Sequence, residues 1–334
     1  MSSPIFNRPA APGVSGRTLF RPLLALFTSL LVLAGCSATP QTNALLNSPL
    51  PQQSPARAEL TKVPFNPQEQ YQCGPAALAT ILDYSGQPVT PEALKPRVFV
   101  PEREGSFQVE MLATTRQYQR IAYTIEPELE ALIDAIDAGY PVLVLQNLAM
   151  EWYPRWHYAV AIGYDLEDET IILRTGITER YAADMKVFER TWKRGDYWGM
   201  VAVKPGDLPP DADPGKYFRA TAAFDRHAPA DLSAAAWQAG LDQWPGNRDL
   251  LMGYGNYLYS AGRTDDAGRQ YLQVTELYPG YAPALNNLAQ TLIDRGLARE
   301  AVDYAERAVA LSNEHYKASF EETLQHAIDA LPDQ

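Results

Sequence analysis

The chain has 334 residues, 46% of them hydrophobic, with 28 basic and 40 acidic side chains and a formal charge of −12. That length accommodates about two domains, and that composition a sizeable buried core. With no basic cluster beyond the N-terminal region, the acidic balance argues against nucleic acid as a partner.

Residues 1–35 read as a targeting segment. Arg8, Arg17 and Arg21 supply a positive, acid-free lead, and Pro22–Leu33 is apolar apart from Thr28 and Ser29, too short for a membrane span. Leu33-Ala34-Gly35-Cys36 resembles a bacterial lipobox. That resemblance implies cleavage before Cys36 and lipidation of its thiol and new N-terminus. With Ser37 next, it implies an outer-membrane lipoprotein facing the periplasm. Removal of the segment takes the formal charge from −12 to −15. Residues 36–59, rich in Ser, Thr, Pro, Gln, Asn and Ala, read as a flexible tether.

A first domain is expected over residues 60–205. Val63–Phe65 reads as a short strand. Cys73-Gly74-Pro75 opens a helix in which Leu78, Ile81 and Leu82 recur at helical spacing and which Ser85-Gly86 ends near Tyr84. Thr90-Pro91 caps a short second helix, Phe107–Tyr118 carries a third, and Glu128–Ala138, closed by Gly139, a fourth. The period then changes. Pro141–Gln146, His157–Tyr164, Thr170–Arg174 and Trp198–Val203 read as strands, with a short helix over Met185–Lys193 that covers the sheet. Helices followed by an antiparallel sheet make an α+β domain.

Residues 206–216 read as a linker. Beyond them, Pro245 and Pro279 lie 34 residues apart, and units starting at Arg248 and Ala282 align Gly255 with Ala289, Ala267 with Ala301, Leu251 with Leu285 and Leu258 with Leu292. This resembles the tetratricopeptide family over residues 245–312. Pro229–Trp244 reads as the second helix of a degenerate earlier unit and Lys317–Leu331 as a capping helix. An all-α repeat domain over 217–334 is therefore expected, supplying a concave surface for a protein partner rather than chemistry.

Chemistry is expected at Cys73. A helix N-terminus favours thiolate through its unpaired N–H groups and dipole. The chain has two cysteines, and with Cys36 lipidated Cys73 has no disulfide partner, unusual for an exported protein unless the thiol is used. Of the four histidines, His157 alone shares the domain of Cys73, at the start of an apolar strand, and is the candidate base. No pair of His or Cys residues has metal-ligand spacing, so neither metal nor cofactor is expected.

Pro67-Gln68, Cys73-Gly74-Pro75-Ala76-Ala77-Leu78 and His157-Tyr158-Ala159-Val160-Ala161-Ile162-Gly163-Tyr164 together resemble the papain-like cysteine peptidases of the bacteriocin-processing, double-glycine-leader type. The resemblance implies a papain-like fold, hydrolysis of a peptide bond, and a glutamine upstream of the cysteine as oxyanion donor. That residue maps onto Gln68, with Gln70 and Gln72 nearby. The family's third catalytic residue, an Asp or Asn on the strand after the histidine, falls where this chain reads Leu173-Arg174-Thr175-Gly176. Thr175 is the group there able to orient an imidazole, without the charge of a carboxylate. Asp165 and Asp168 are expected as solvated turn residues. Family members commonly precede an export ATPase, yet this sequence has no Walker-type phosphate loop. The expectations are a lipid-anchored envelope thiol peptidase, a peptidoglycan stem-peptide amidase, or an inert papain-like scaffold whose repeats bind protein.

Overall fold

The computed structural model describes residues 39–47, 55–67, 72–103, 105–209 and 212–332. The targeting segment, Cys36, Gln68 and Gln70 lie outside these residues. Among the described residues, no helix is long and apolar enough to cross a membrane.

Among the described residues, seven antiparallel strands form one sheet: β1 (Arg57–Glu59), β2 (Ile121–Thr124), β3 (Val142–Asn147), β4 (Trp156–Asp165), β5 (Thr170–Thr175), β6 (Thr178–Asp184) and β7 (Gly199–Val203). Their order is β2-β7-β3-β4-β5-β6, with β1 alongside the second half of β4 where β3 has ended. Both faces are covered, which is why β3, β4 and β7 read as unbroken apolar runs rather than as alternation. On one face Leu145, Tyr158, Val160 and Ile162 pack against Ala77, Leu78, Ile81 and Leu82 of helix α2 (Cys73–Tyr84). On the other, Val144, Ala159, Ala161 and Leu173 pack against helices α5 (Leu129–Asp137) and α6 (Met185–Lys193). The shorter helices α3 (Pro91–Val98) and α4 (Gln108–Gln117) complete the α2 side.

The expected opening strand at Val63–Phe65 does not form: Val63 closes a turn from Leu60 and is buried in the core, Pro64 and Phe65 are irregular, and the strand lies earlier at β1. Two strands unseen in the sequence, β2 and β6, are the sheet's ends. β6 is exposed at all but one position, so no apolar run announces it. β2 has only four residues and follows the left-handed Gln119 (φ 57).

Part of the expected tether is structured. Residues Pro40–Asn47 form helix α1. Both carboxylate oxygens of Glu189, itself fully buried in α6, accept backbone N–H groups of α1, from Gln41 at 3.1 Å and Thr42 at 2.7 Å. The Gln41 side chain accepts from Leu129 N at 2.7 Å, capping α5, and donates to Pro127 O at 3.0 Å. A buried carboxylate holding two amide donors is costly to strand. Glu189→Ala is therefore expected to lower unfolding free energy by about 2–4 kcal/mol in urea denaturation. A chain shortened to begin at Leu60 is expected to lose at least as much, because β1 goes with α1.

From Pro214 the chain is helical: α7 (Pro214–Asp225), α8 (Ala230–Gln243), α9 (Arg248–Ser260), α10 (Thr264–Leu277), α11 (Ala282–Asp294), α12 (Ala298–Ala310) and α13 (Lys317–Asp329). These are three consecutive helix pairs and a last helix, an arrangement compatible with a repeat domain. A Cβ at Gly255 would lie 2.6 Å from the Tyr271 ring, so the small residue of that unit is set by close helix packing. The junction is not a bare linker. Helix α7 packs on the edge strand β2, where Asp213 N donates to Tyr123 Oη at 3.1 Å and Lys216 pairs with Glu126 at 2.7 Å. A helix over a sheet edge removes an open row of backbone donors and acceptors.

Candidate active site

Cys73 is the first residue of α2, with Gln72 as its N-cap. Gly74 follows because nothing larger fits: a Cβ there would lie 2.2 Å from Ser106 Oγ. The carbonyl of Ser106 accepts from Tyr158 Oη at 3.2 Å, and the Tyr158 ring meets Trp198 edge-on at 6.0 Å. The start of the helix is thus wedged against β4. The thiol is half-buried. Backbone N–H groups of Tyr158, Gly74 and Cys73 itself act on the sulfur and favour thiolate, but burial outweighs them and pushes the thiol above its ordinary value. The sequence expectation of a thiol already biased toward thiolate is reversed. Lowering the dielectric around the sulfur costs the anion more than these backbone N–H groups return.

The Tyr158 amide is the peptide bond that joins it to His157, so the sulfur meets β4 next to the candidate base. His157 lies on the other side of the strand's pleat from Tyr158. Its Nε2 is 2.7 Å from Thr175 Oγ1 on β5. Burial pushes the imidazole down to about 4, so it is neutral at pH 7. A neutral thiol and a neutral imidazole at one end of β4 suit proton transfer during attack rather than a standing ion pair.

Directly opposite His157 in the β3–β4 register is Gln146, which is buried, and whose Nε2 donates to Thr191 Oγ1 at 2.6 Å. Its neighbour Asn147 shapes the loop before His157: Oδ1 accepts from Ala149 N at 3.0 Å and Arg155 N at 2.9 Å. That loop holds Trp152, Tyr153 and Trp156 in solvent. On the approach to Cys73, Arg174 donates to Val63 O at 2.9 Å and Asn66 to Thr80 Oγ1 at 3.2 Å, tying down residues 63–66.

The structure thus brings Cys73, His157 and Thr175 to one end of β4. Asp165 and Asp168 lie at the other end, where Asp165 Oδ1 accepts from Glu167 N and Asp168 N in a turn. His227, His315 and His326 belong to the helical region. Gln146 escaped the sequence reading. Its trace there is a polar amide closing an apolar strand run.

Residues 60–198 match the Peptidase_C39 like family. The matched segment holds Cys73, His157 and Thr175 and ends just before β7. No curated protein matches the chain. Among solved structures, a putative C39-like peptidase from Bacillus anthracis is 20% identical over 44% of this chain and 98% of its own, with a TM-score of 0.39. A double glycine motif protease from an AMS/PCAT transporter, in complex with the leader peptide, is 23% identical over 46% and 96%, with a TM-score of 0.33. The first TPR of Spaghetti (RPAP3), bound to an HSP90 peptide, is 16% identical over 35% and 91%, with a TM-score of 0.32.

Proposed function

We propose that the C39-like segment is a thiol peptidase that cuts a peptide or isopeptide bond in the bacterial cell envelope. In this reading the chain is an outer-membrane lipoprotein held through Cys36, and residues 217–334 bind a protein substrate or partner. The observation that carries the reading is the His157 ring, held at 2.7 Å by Thr175 on a strand whose next amide reaches the Cys73 sulfur. With Nε2 facing Thr175, Nδ1 is the nitrogen left for chemistry.

Nδ1 takes the thiol proton as sulfur attacks the carbonyl carbon, forming a C–S bond and an oxyanion. Gln68 is assigned as a neutral donor to that oxyanion, together with the Cys73 N–H. As the C–N bond breaks, the imidazolium returns its proton to the leaving amine. Water then attacks the thioester, losing a proton to Nδ1, and the acid and the thiol are released. Thr175 orients the ring but carries no charge to stabilise the imidazolium. The same neutral residue favours, as a second reading, an inert scaffold whose helical region does the work.

Acid quenching during incubation tests both, once with a mixed peptide substrate and once with purified sacculi, followed by mass spectrometry. A thioester on the Cys73 peptide is expected. If it forms with sacculi alone and stem fragments are released, the enzyme is a peptidoglycan amidase. Absence of adduct and product with both substrates would establish the scaffold.

A further inference from the structure

The ring of His157 is oriented by Thr175 from one side, where a carboxylate or amide was expected. A single hydroxyl leaves the other side of the imidazole to be fixed by something else. β3 runs along that side, and residues directly opposite one another on antiparallel strands project from the same face with Cβ atoms about 5 Å apart. The residue opposite His157 is Gln146. It is 4% exposed, directly after four Val and Leu residues of its strand. Its amide is anchored: Nε2 donates to Thr191 Oγ1 at 2.6 Å, and Thr191 in turn donates to Phe188 O at 2.8 Å inside α6. One N–H of Nε2 goes to Thr191, and the second N–H and the Oε1 end of the amide are left for its neighbours.

We propose that Gln146 is a positioning residue for His157, fixing the imidazole from β3 as Thr175 fixes it from β5. The inference rests on the reading of His157 as the base. Two neutral groups, a hydroxyl on β5 bonded to Nε2 and an amide side chain opposite the ring on β3, then do the orienting that one carboxylate performs elsewhere, and they bring no negative charge to the ring. At the same end of the sheet Arg194 donates to Asn147 O at 2.9 Å, and Glu151 and Arg155 are exposed in the loop before β4.

Nuclear magnetic resonance titration of the His157 ring tests this without requiring turnover. In Gln146→Glu a carboxylate stands opposite the ring, and the His157 midpoint is expected to rise by at least about one pH unit from its low wild-type value. The acid limb of kcat/KM should move with it. Gln146→Leu keeps volume and buries no charge. It is expected to fold and to lose about tenfold or more in kcat with little change in KM. Thr191→Val, which frees the amide without touching β4, is expected to lose kcat in the same direction and by less. A His157 midpoint in Gln146→Glu that coincides with wild type would overturn the proposal. So would wild-type kcat in Gln146→Leu, which also serves if Gln146→Glu does not fold. Failure of the peptidase reading has a different signature: no Cys73-dependent product in the wild type, whatever the ring titration shows.

Discussion

Cys73→Ala is expected to abolish turnover, lowering kcat by about 10⁴-fold or more, because the bond-forming atom is removed while the rest of the site stays in place. Fold loss does not explain such a result. The sulfur is half-buried at the first residue of α2, and the helix is held by Leu78, Ile81 and Leu82 in the core, which the substitution leaves alone. The melting transition should therefore stay close to wild type. The same thiol makes a second, pH-dependent statement. Because burial raises it from an ordinary value of 9.0, labelling by iodoacetamide without substrate should be slow at pH 7 and still climb above pH 9.0. Rapid labelling at pH 6 would contradict the neutral resting pair. Activity in Cys73→Ala above a tenth of wild type would remove the nucleophile from the mechanism.

His157→Gln is expected to cost about 10³-fold in kcat, the usual worth of a positioned general base. In the wild type the acid limb of kcat/KM should fall near pH 4, because the imidazole remains neutral, and able to accept a proton, down to about 4. A limb near pH 6.5 would show a solvated ring instead. Stability follows the same depression. The folded-state value lies below the unfolded one, so as pH drops the unfolded chain binds the proton first. The stability conferred by the neutral ring is full above the unfolded value and is lost as pH falls toward the folded one. Between pH 7 and pH 5 the wild type should lose about 2 kcal/mol more than His157→Gln in urea denaturation. Equal losses in both proteins would mean that the ring is not desolvated.

Much of the fold is legible locally. The start of α2 at Cys73, its end before Gly86 (φ 88), the Thr90 cap accepting from Ala93 N and the close of α5 before Gly139 (φ 88) are set by residues within a few positions of one another. The apolar runs of β3, β4, β5 and β7 are likewise visible, since sheets covered on both faces concentrate hydrophobic side chains. β6 is hidden because an exposed edge strand has no such run. Helix α1 is hidden because its partner, Glu189, is 147 residues from Thr42 and confers no pattern on the polar stretch it holds. Thr175 was legible as the residue standing where an acid was expected, and the 2.7 Å contact with His157 gives that position a geometry.

By itself, the sequence determined the candidate nucleophile and the helix it starts, the candidate base and the strand it sits on, and the repeat-like helices that follow in the chain. Periodicity, capping and motif spacing act over a few residues, and so can be read along the chain. Only the tertiary structure decided the state of the pair and its surroundings. Tertiary packing half-buried the Cys73 sulfur and buried much of the His157 ring, and desolvation then overcame the backbone N–H groups that favoured thiolate. The β3–β4 register brought Gln146 opposite His157. Burial and cross-strand pairing are sums over residues far apart in the chain, and no local stretch contains them.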